Sequence, residues 1–150
     1  MVQFLRFLGA KGAATVISAE VTIKVQFFDL DPMQVVWHGN YPRFLEEARC
    51  ALLDRIGYNY PQMAESGYVW PIVDMRLKYV RPARFAQDIR VVATLREYEN
   101  RLRIDYRISD AQSGEVLTKA ETTQVAVEAQ SGELCLETPA ALQDRVRGLL

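Results

Sequence analysis

From Val21 the chain alternates, with Val21, Ile23, Val25 and Phe27 apolar against Thr22, Lys24 and Gln26. That two-residue period predicts a strand with one buried face. Asp29 and Asp31 close the alternation, and Pro32, with its φ fixed and no amide hydrogen, prevents an ordinary continuation of the ladder. Past Asn40 the period lengthens: Tyr41, Phe44, Leu45, Ala48, Leu52 and Ile56 recur at intervals of three and four. A helix is predicted there, with Asn40 as its N-cap and Gly57 as a left-handed stop. Cys50, Ala51 and Leu53 widen its apolar stripe, so this helix needs cover on most of its sides. Residues 58–68, with Tyr58, Tyr60, Pro61 and Gly67, read as a connection with room for one helical turn.

After Tyr68 the period returns to two and stays there, as in an antiparallel meander. Val73, Met75, Leu77 and Tyr79 share one face against Asp74, Arg76 and Lys78, until Pro82 and Ala83 break the strand. Ile89, Val91, Ala93 and Leu95 alternate next. A tight Glu99-Asn100 junction then leads to Leu102, Ile104, Tyr106 and Ile108, with Arg101, Arg103, Asp105 and Arg107 facing out, which predicts a hairpin. Ser113-Gly114 marks a turn before a last long strand over 116–128, and the string AQSGE at 111–115 and 129–133 reads as one turn chemistry used twice. Thr138 as N-cap and Pro139 as first helical residue, with Leu142, Val146 and Leu149 behind them, predict a short terminal helix. The class is α+β: an antiparallel sheet of about five strands must cover a long central helix. A sheet of that size leaves part of so apolar a helix bare, so a second copy is expected to complete the burial, as a homodimer or a dimer of dimers.

At 150 residues the chain is long enough for one core and short for two, with residues 1–19 set apart as an N-terminal arm and 20–150 as a single domain. That arm contains Arg6 and Lys11 and no acid; a signal or transit segment is the weaker reading, and the stretch is too interrupted to span a membrane. Eighteen Lys and Arg against nineteen Asp and Glu give no bulk field toward nucleic acid or an anionic membrane, so neither is an expected partner. Cys50 and Cys135 stand far apart, and His38 is the sole histidine. This predicts no metal site and a reducing, cytoplasmic setting.

The remaining chemistry gathers between Phe27 and Arg49. Asp29-x-Asp31 is followed by Val35-Val36, the aromatic Trp37, Asn40-Tyr41, then Phe44, Glu46 and Ala48-Arg49. The segment Lys78-Tyr79-Val80-Arg81-Pro82-Ala83-Arg84 with Asp88 follows later. Together they resemble the 4-hydroxybenzoyl-CoA thioesterase family of hotdog-fold acyl-CoA thioesterases, over about residues 20–128. The sequence departs at Gln34, where the family often carries glycine. The resemblance implies a hotdog sheet wrapped round the helix, no cofactor, and hydrolysis of an acyl-CoA or acyl-carrier thioester. It makes Asp31 the catalytic carboxylate, as general base or nucleophile. It assigns the oxyanion partner to backbone amides around His38, Gly39 and Asn40, where a helix start favours negative charge.

Read from the residues alone, Asp31-Pro32 is a turn more than a catalytic group, a weighting the resemblance reverses, and Asp29 orders the loop. The His38 ring is a packing or hydrogen-bonding group more than a proton carrier. Tyr41 and Glu46 shape the site, with Glu46 and Arg49 placed to pair along the helix. Arg81 and Arg84 are candidates for the coenzyme A phosphates or are ordinary solvated charge. Two rivals stand beside hydrolysis: a hydroxyacyl-thioester dehydratase led by His38, and an acyl-CoA binding module without turnover.

Overall fold

The computed structural model describes residues 2–9 and 12–150, with side chains from Val16 onward. In chain order the elements are β1 (Val2–Gly9), β2 (Gly12–Lys24), α1 (Tyr41–Ile56), α2 (Tyr60–Glu65), β3 (Tyr68–Val69), β4 (Ile72–Tyr79), β5 (Asp88–Glu97), β6 (Leu102–Asp110), β7 (Val116–Gln124), β8 (Val127–Glu128) and α3 (Ala140–Arg147). Six strands form one antiparallel sheet in the order β1-β2-β5-β6-β7-β4, while β3 and β8 pair separately. Residues 12–19 of the stretch read as an N-terminal arm continue β2, with Ile17, Ser18 and Ala19 buried, while how the side chains of residues 1–15 pack lies outside the described residues.

Register follows the period-two pattern. Ala19, Val21 and Ile23 of β2 lie opposite Ala93, Val91 and Ile89 of β5, so one continuous face of the sheet is apolar. Helix α1 lies on that face, packed closest on β2 and β5, with Phe44, Leu45, Ala48, Leu52 and Leu53 fully buried. Each large side chain among them is worth about 1.5–3 kcal/mol on burial, which makes this seam the main source of stability. Gly57 ends the helix at φ 79, and the Tyr58 amide reaches back to the Leu53 carbonyl at 3.0 Å, satisfying an end-of-helix acceptor. Among the described residues, no helix is long and apolar enough to cross a membrane.

Four local expectations change. Strand β2 stops at Lys24, because the Gln26 amide donates to the Asp29 carboxylate and the Asp29 amide to the Gln26 carbonyl. The chain thereby folds into a 3-10 turn over Phe27–Asp29, which throws Phe27 outward, 77% exposed and edge-on to Phe85. The last strand ends at Gln124 rather than at 128, since Val125 donates to Pro71 and the chain bends so that β8 pairs with β3. Asn40 stands at the start of α1 in helical conformation and makes no side-chain cap; its amide group points back to the loop instead. Pro139, not Thr138, is the N-cap of α3, and the Thr138 hydroxyl donates to the carbonyls of Tyr98 and Glu99, tying the helix to the β5–β6 hairpin. The two AQSGE strings do form matching turns: Gly114 and Gly132 both have positive φ, and each donates to the carbonyl four residues earlier.

Candidate active site

The loop between β2 and α1 is held at Asp29, a buried carboxylate. Its side chain accepts from the Gln26 amide at 2.8 Å and from the Arg43 guanidinium on the first turns of α1. Its carbonyl accepts from the Trp37 amide at 2.9 Å and from Asn40 Nδ2 at 2.8 Å. One residue therefore joins the strand end, the turn and the helix start.

Two residues on, Asp31 is only half-buried and opens a tight turn, with the Gln34 amide donating to its carbonyl and the Asp31 amide donating to the Val35 carbonyl, both at 2.9 Å. Pro32 supplies the fixed φ this turn needs, and Gln34 takes φ 61, a left-handed conformation that explains why glycine suits that position. The Asp31 carboxylate uses Oδ1 to accept from the Met33 amide at 2.8 Å. Its second oxygen has no hydrogen-bond partner among the described residues, which leaves it available to act as a base or nucleophile.

Bridges Leu30–Val36 and Val35–Arg84, with the Val36 amide donating to the Ala83 carbonyl at 2.9 Å, lock the second sequence block against the first. His38, Gly39 and Asn40 then make a 3-10 turn that runs straight into α1. The Asn40 amide is engaged by the Trp37 carbonyl at 2.9 Å. Those of His38 and Gly39, first in the turn, donate to no other group of the described residues. A carbonyl oxygen developing negative charge would meet two free N–H groups and the positive end of the α1 dipole there.

Tyr79 of β4 fixes this turn by donating its hydroxyl to the His38 carbonyl at 2.8 Å, and burial pushes its phenol up, so it stays a donor. Tyr41 is buried edge-on to Tyr79 and Phe44, and burial likewise raises its phenol. The glycine at 39 has a reason in the structure: a Cβ there would lie 2.4 Å from the Trp37 ring, which packs across it. The His38 ring is exposed and leans on Trp37 with centroids 5.3 Å apart; no hydrogen bond orients it among the described residues.

Glu46 sits on α1, 3.9 Å from the buried Arg49, whose guanidinium also donates to the Tyr60 hydroxyl at 3.3 Å. It borders a shallow cavity of about 560 Å³ with Val21, Arg43, Glu47 and Cys50, apart from the Asp31 turn. Arg81 is paired with Glu115 at 3.3 Å. Arg84 is exposed, its backbone bridged to Val35 of the Asp31 loop, and its guanidinium has no partner among the described residues. Sequence reasoning missed Arg43, Tyr79 and the Trp37 ring as supports of the site. Trp37 and Tyr79 stand in the quoted motifs and Arg43 falls between quoted positions, but the partners of all three come from the fold.

The Asp31 carboxylate with one oxygen unpartnered and the unpartnered amides of His38 and Gly39 thus lie on one short stretch of chain between β2 and α1. Residues 25–146 match the thioesterase-like superfamily, and the chain belongs to it: a thioester hydrolase with the hotdog fold. Among relatives, it is 28% identical over 110 residues to the "Putative acyl-CoA thioesterase YneP" of Bacillus subtilis, covering 73% of this chain and 79% of that one. Among solved structures it resembles Slr0204, a 1,4-dihydroxy-2-naphthoyl-CoA thioesterase from Synechocystis, with TM-score 0.78, 22% identity and coverage of 88% and 97%. It also resembles a 4-hydroxybenzoyl-CoA thioesterase variant complexed with 4-hydroxybenzoyl-CoA, with TM-score 0.74, 21% identity and coverage of 85% and 97%.

Proposed function

We propose that this chain hydrolyses the thioester of an acyl-CoA, or of an acyl group on a carrier, with Asp31 as the catalytic carboxylate. The observation that carries the reading is the division of labour within that carboxylate. Oδ1 is fixed by the Met33 amide while the other oxygen is free, on a turn locked through Asp29 to the start of α1. The substrate carbonyl oxygen lies against the His38 and Gly39 amides, which stabilise the charge that develops as the carbon is attacked. The free oxygen of Asp31 either takes a proton from the attacking water or itself forms an anhydride that water then opens. Both routes end with a carboxylic acid and a free thiol, the leaving sulfur taking up a proton. Arg84, unlike Arg81, is free to meet the coenzyme A phosphates.

The functional unit is at least a dimer. Strand β4 is a sheet edge and pairs with β7 alone, and it exposes Val73 (57%) and Tyr79 (47%), the latter bonded to the His38 turn. An open edge with an apolar face is suited to pairing with a second copy. The dehydratase reading has less support, because a general-base histidine is ordinarily oriented by a partner and the His38 ring has none among the described residues. Short, long and aromatic acyl-CoAs assayed for thiol release test the reading and name the acyl class. Release of free thiol from at least one supports it; binding without turnover across the panel, or an enoyl thioester from a hydroxyacyl substrate, overturns it.

A further inference from the structure

The face of the sheet turned away from α1 carries an unusual row. Arg107 of β6 lies directly opposite Lys119 of β7, and Lys119 directly opposite Lys78 of β4. All three side chains are exposed, and none has an ion-pair or hydrogen-bond partner among the described residues. Like charges set directly across a ladder oppose one another, so such a row costs stability. Its borders are treated in the opposite way. Arg103 meets Glu121 at 3.1 Å, Arg96 meets Asp105 at 3.2 Å and Arg90 meets Glu20 at 3.3 Å. The row lines an open concavity of about 930 Å³ whose walls hold six cationic side chains and two acids, on a chain whose net charge is −1.

We infer that this concavity is a docking surface for an acidic α-helix of a partner protein. Neighbouring strands stand about 4.8 Å apart, so the three cations step across roughly 10 Å. Acids at i, i+4 and i+7 of a helix step along its axis over about 10.5 Å, which matches the span of the row. Single-stranded nucleic acid would need aromatic platforms; Tyr106 is the sole aromatic lining residue and is buried. Asp105 and Glu121 in the walls oppose a phosphate chain but match the basic residues that flank acids on a protein surface. Because the row lies across the sheet from α1, a docked helix leaves the Asp31 turn open.

The test uses the whole chain and a fluorescently labelled alanine-based helical peptide with glutamates at i, i+4 and i+7, read by anisotropy at low and physiological salt. Saturable binding is expected that weakens with salt and is lost when the glutamates become glutamine. It should also fall at least tenfold when the same glutamates are spread round the helix. Arg107→Glu with Lys119→Glu should weaken binding at least tenfold, and Arg107→Gln with Lys119→Gln by a smaller factor, while thiol release from acyl-CoA stays at the wild-type rate. The neutral pair keeps the test valid should the reversed pair fold poorly. No peptide binding, unchanged affinity in a folded variant, or indifference to glutamate spacing would overturn the proposal. So would tighter binding, through the same residues, of single-stranded oligonucleotide or anionic vesicles.

Discussion

Replacing Asp29 by asparagine separates the architecture of the site from its chemistry. The buried carboxylate accepts from the Gln26 amide through one oxygen and from Arg43 through the other. Asparagine keeps the shape but has one acceptor and one donor group, so its NH₂ must face either the Gln26 amide or the guanidinium. A lost hydrogen bond to a charged group costs about 1.5–3 kcal/mol. The Arg43 side chain is 49% exposed, and solvent offsets part of its loss, which puts the sum near 2 kcal/mol. For a domain of this size that lowers the melting temperature by about 4–8 °C. The carbonyl of residue 29 still receives Trp37 and Asn40, so the turn is loosened rather than lost. We expect kcat to fall by about tenfold or less, because Asp31 and the free amides remain. Thermal melts and thiol-release kinetics on the same preparation check both numbers. A variant that melts with wild-type protein, yet loses activity as fully as a variant of Asp31, would refute the reasoning and move Asp29 into the chemistry.

His38→Gln keeps the backbone amide and should hold activity within about tenfold, about 1.4 kcal/mol of barrier; a loss beyond about a thousandfold would promote the His-centred dehydratase. Gly39→Ala places a Cβ against the Trp37 ring, so the ring must leave, and kcat should drop more than with His38→Gln while near-ultraviolet circular dichroism registers the displaced indole. Light scattering at micromolar concentration should return the mass of at least two chains, and a monomer mass would remove β4 as an interface.

The fold was legible in the sequence wherever period and punctuation agreed. Val21 and Ile23, the stripe from Tyr41 to Ile56 with Gly57 behind it, and the Leu102–Ile108 alternation all sit where their spacing placed them. Phe27 failed because local side-chain chemistry outranked periodicity: Asp29, two residues along, captures the Gln26 amide and bends the strand before Phe27 can join it. Asn40 failed for a related reason, since an amide able to cap a helix is equally able to reach a carbonyl eleven residues back, and the loop offers one. The short pair β3 and β8 carries too few residues to show a period and owes its existence to the bend after Gln124. At the site, Asp31 and Gly39 were visible as a motif. The support from Arg43, on the next element, and from Tyr79, forty-one residues past His38, depends on tertiary folding that spacing does not encode.

The central claim is that Asp31 carries the hydrolysis, and Asp31→Asn tests it most directly. The amide can still accept from Met33 and hold the turn, but it is far too weak a base to activate water and a poor nucleophile. Assayed by thiol release with one responsive acyl-CoA, kcat should fall by about 10²–10⁴, while a non-hydrolysable analogue binds as before and the melting temperature and oligomer stay near wild type. A folded Asp31→Asn protein that turns over at the wild-type rate, or one that fails only because the analogue no longer binds, would contradict the assignment.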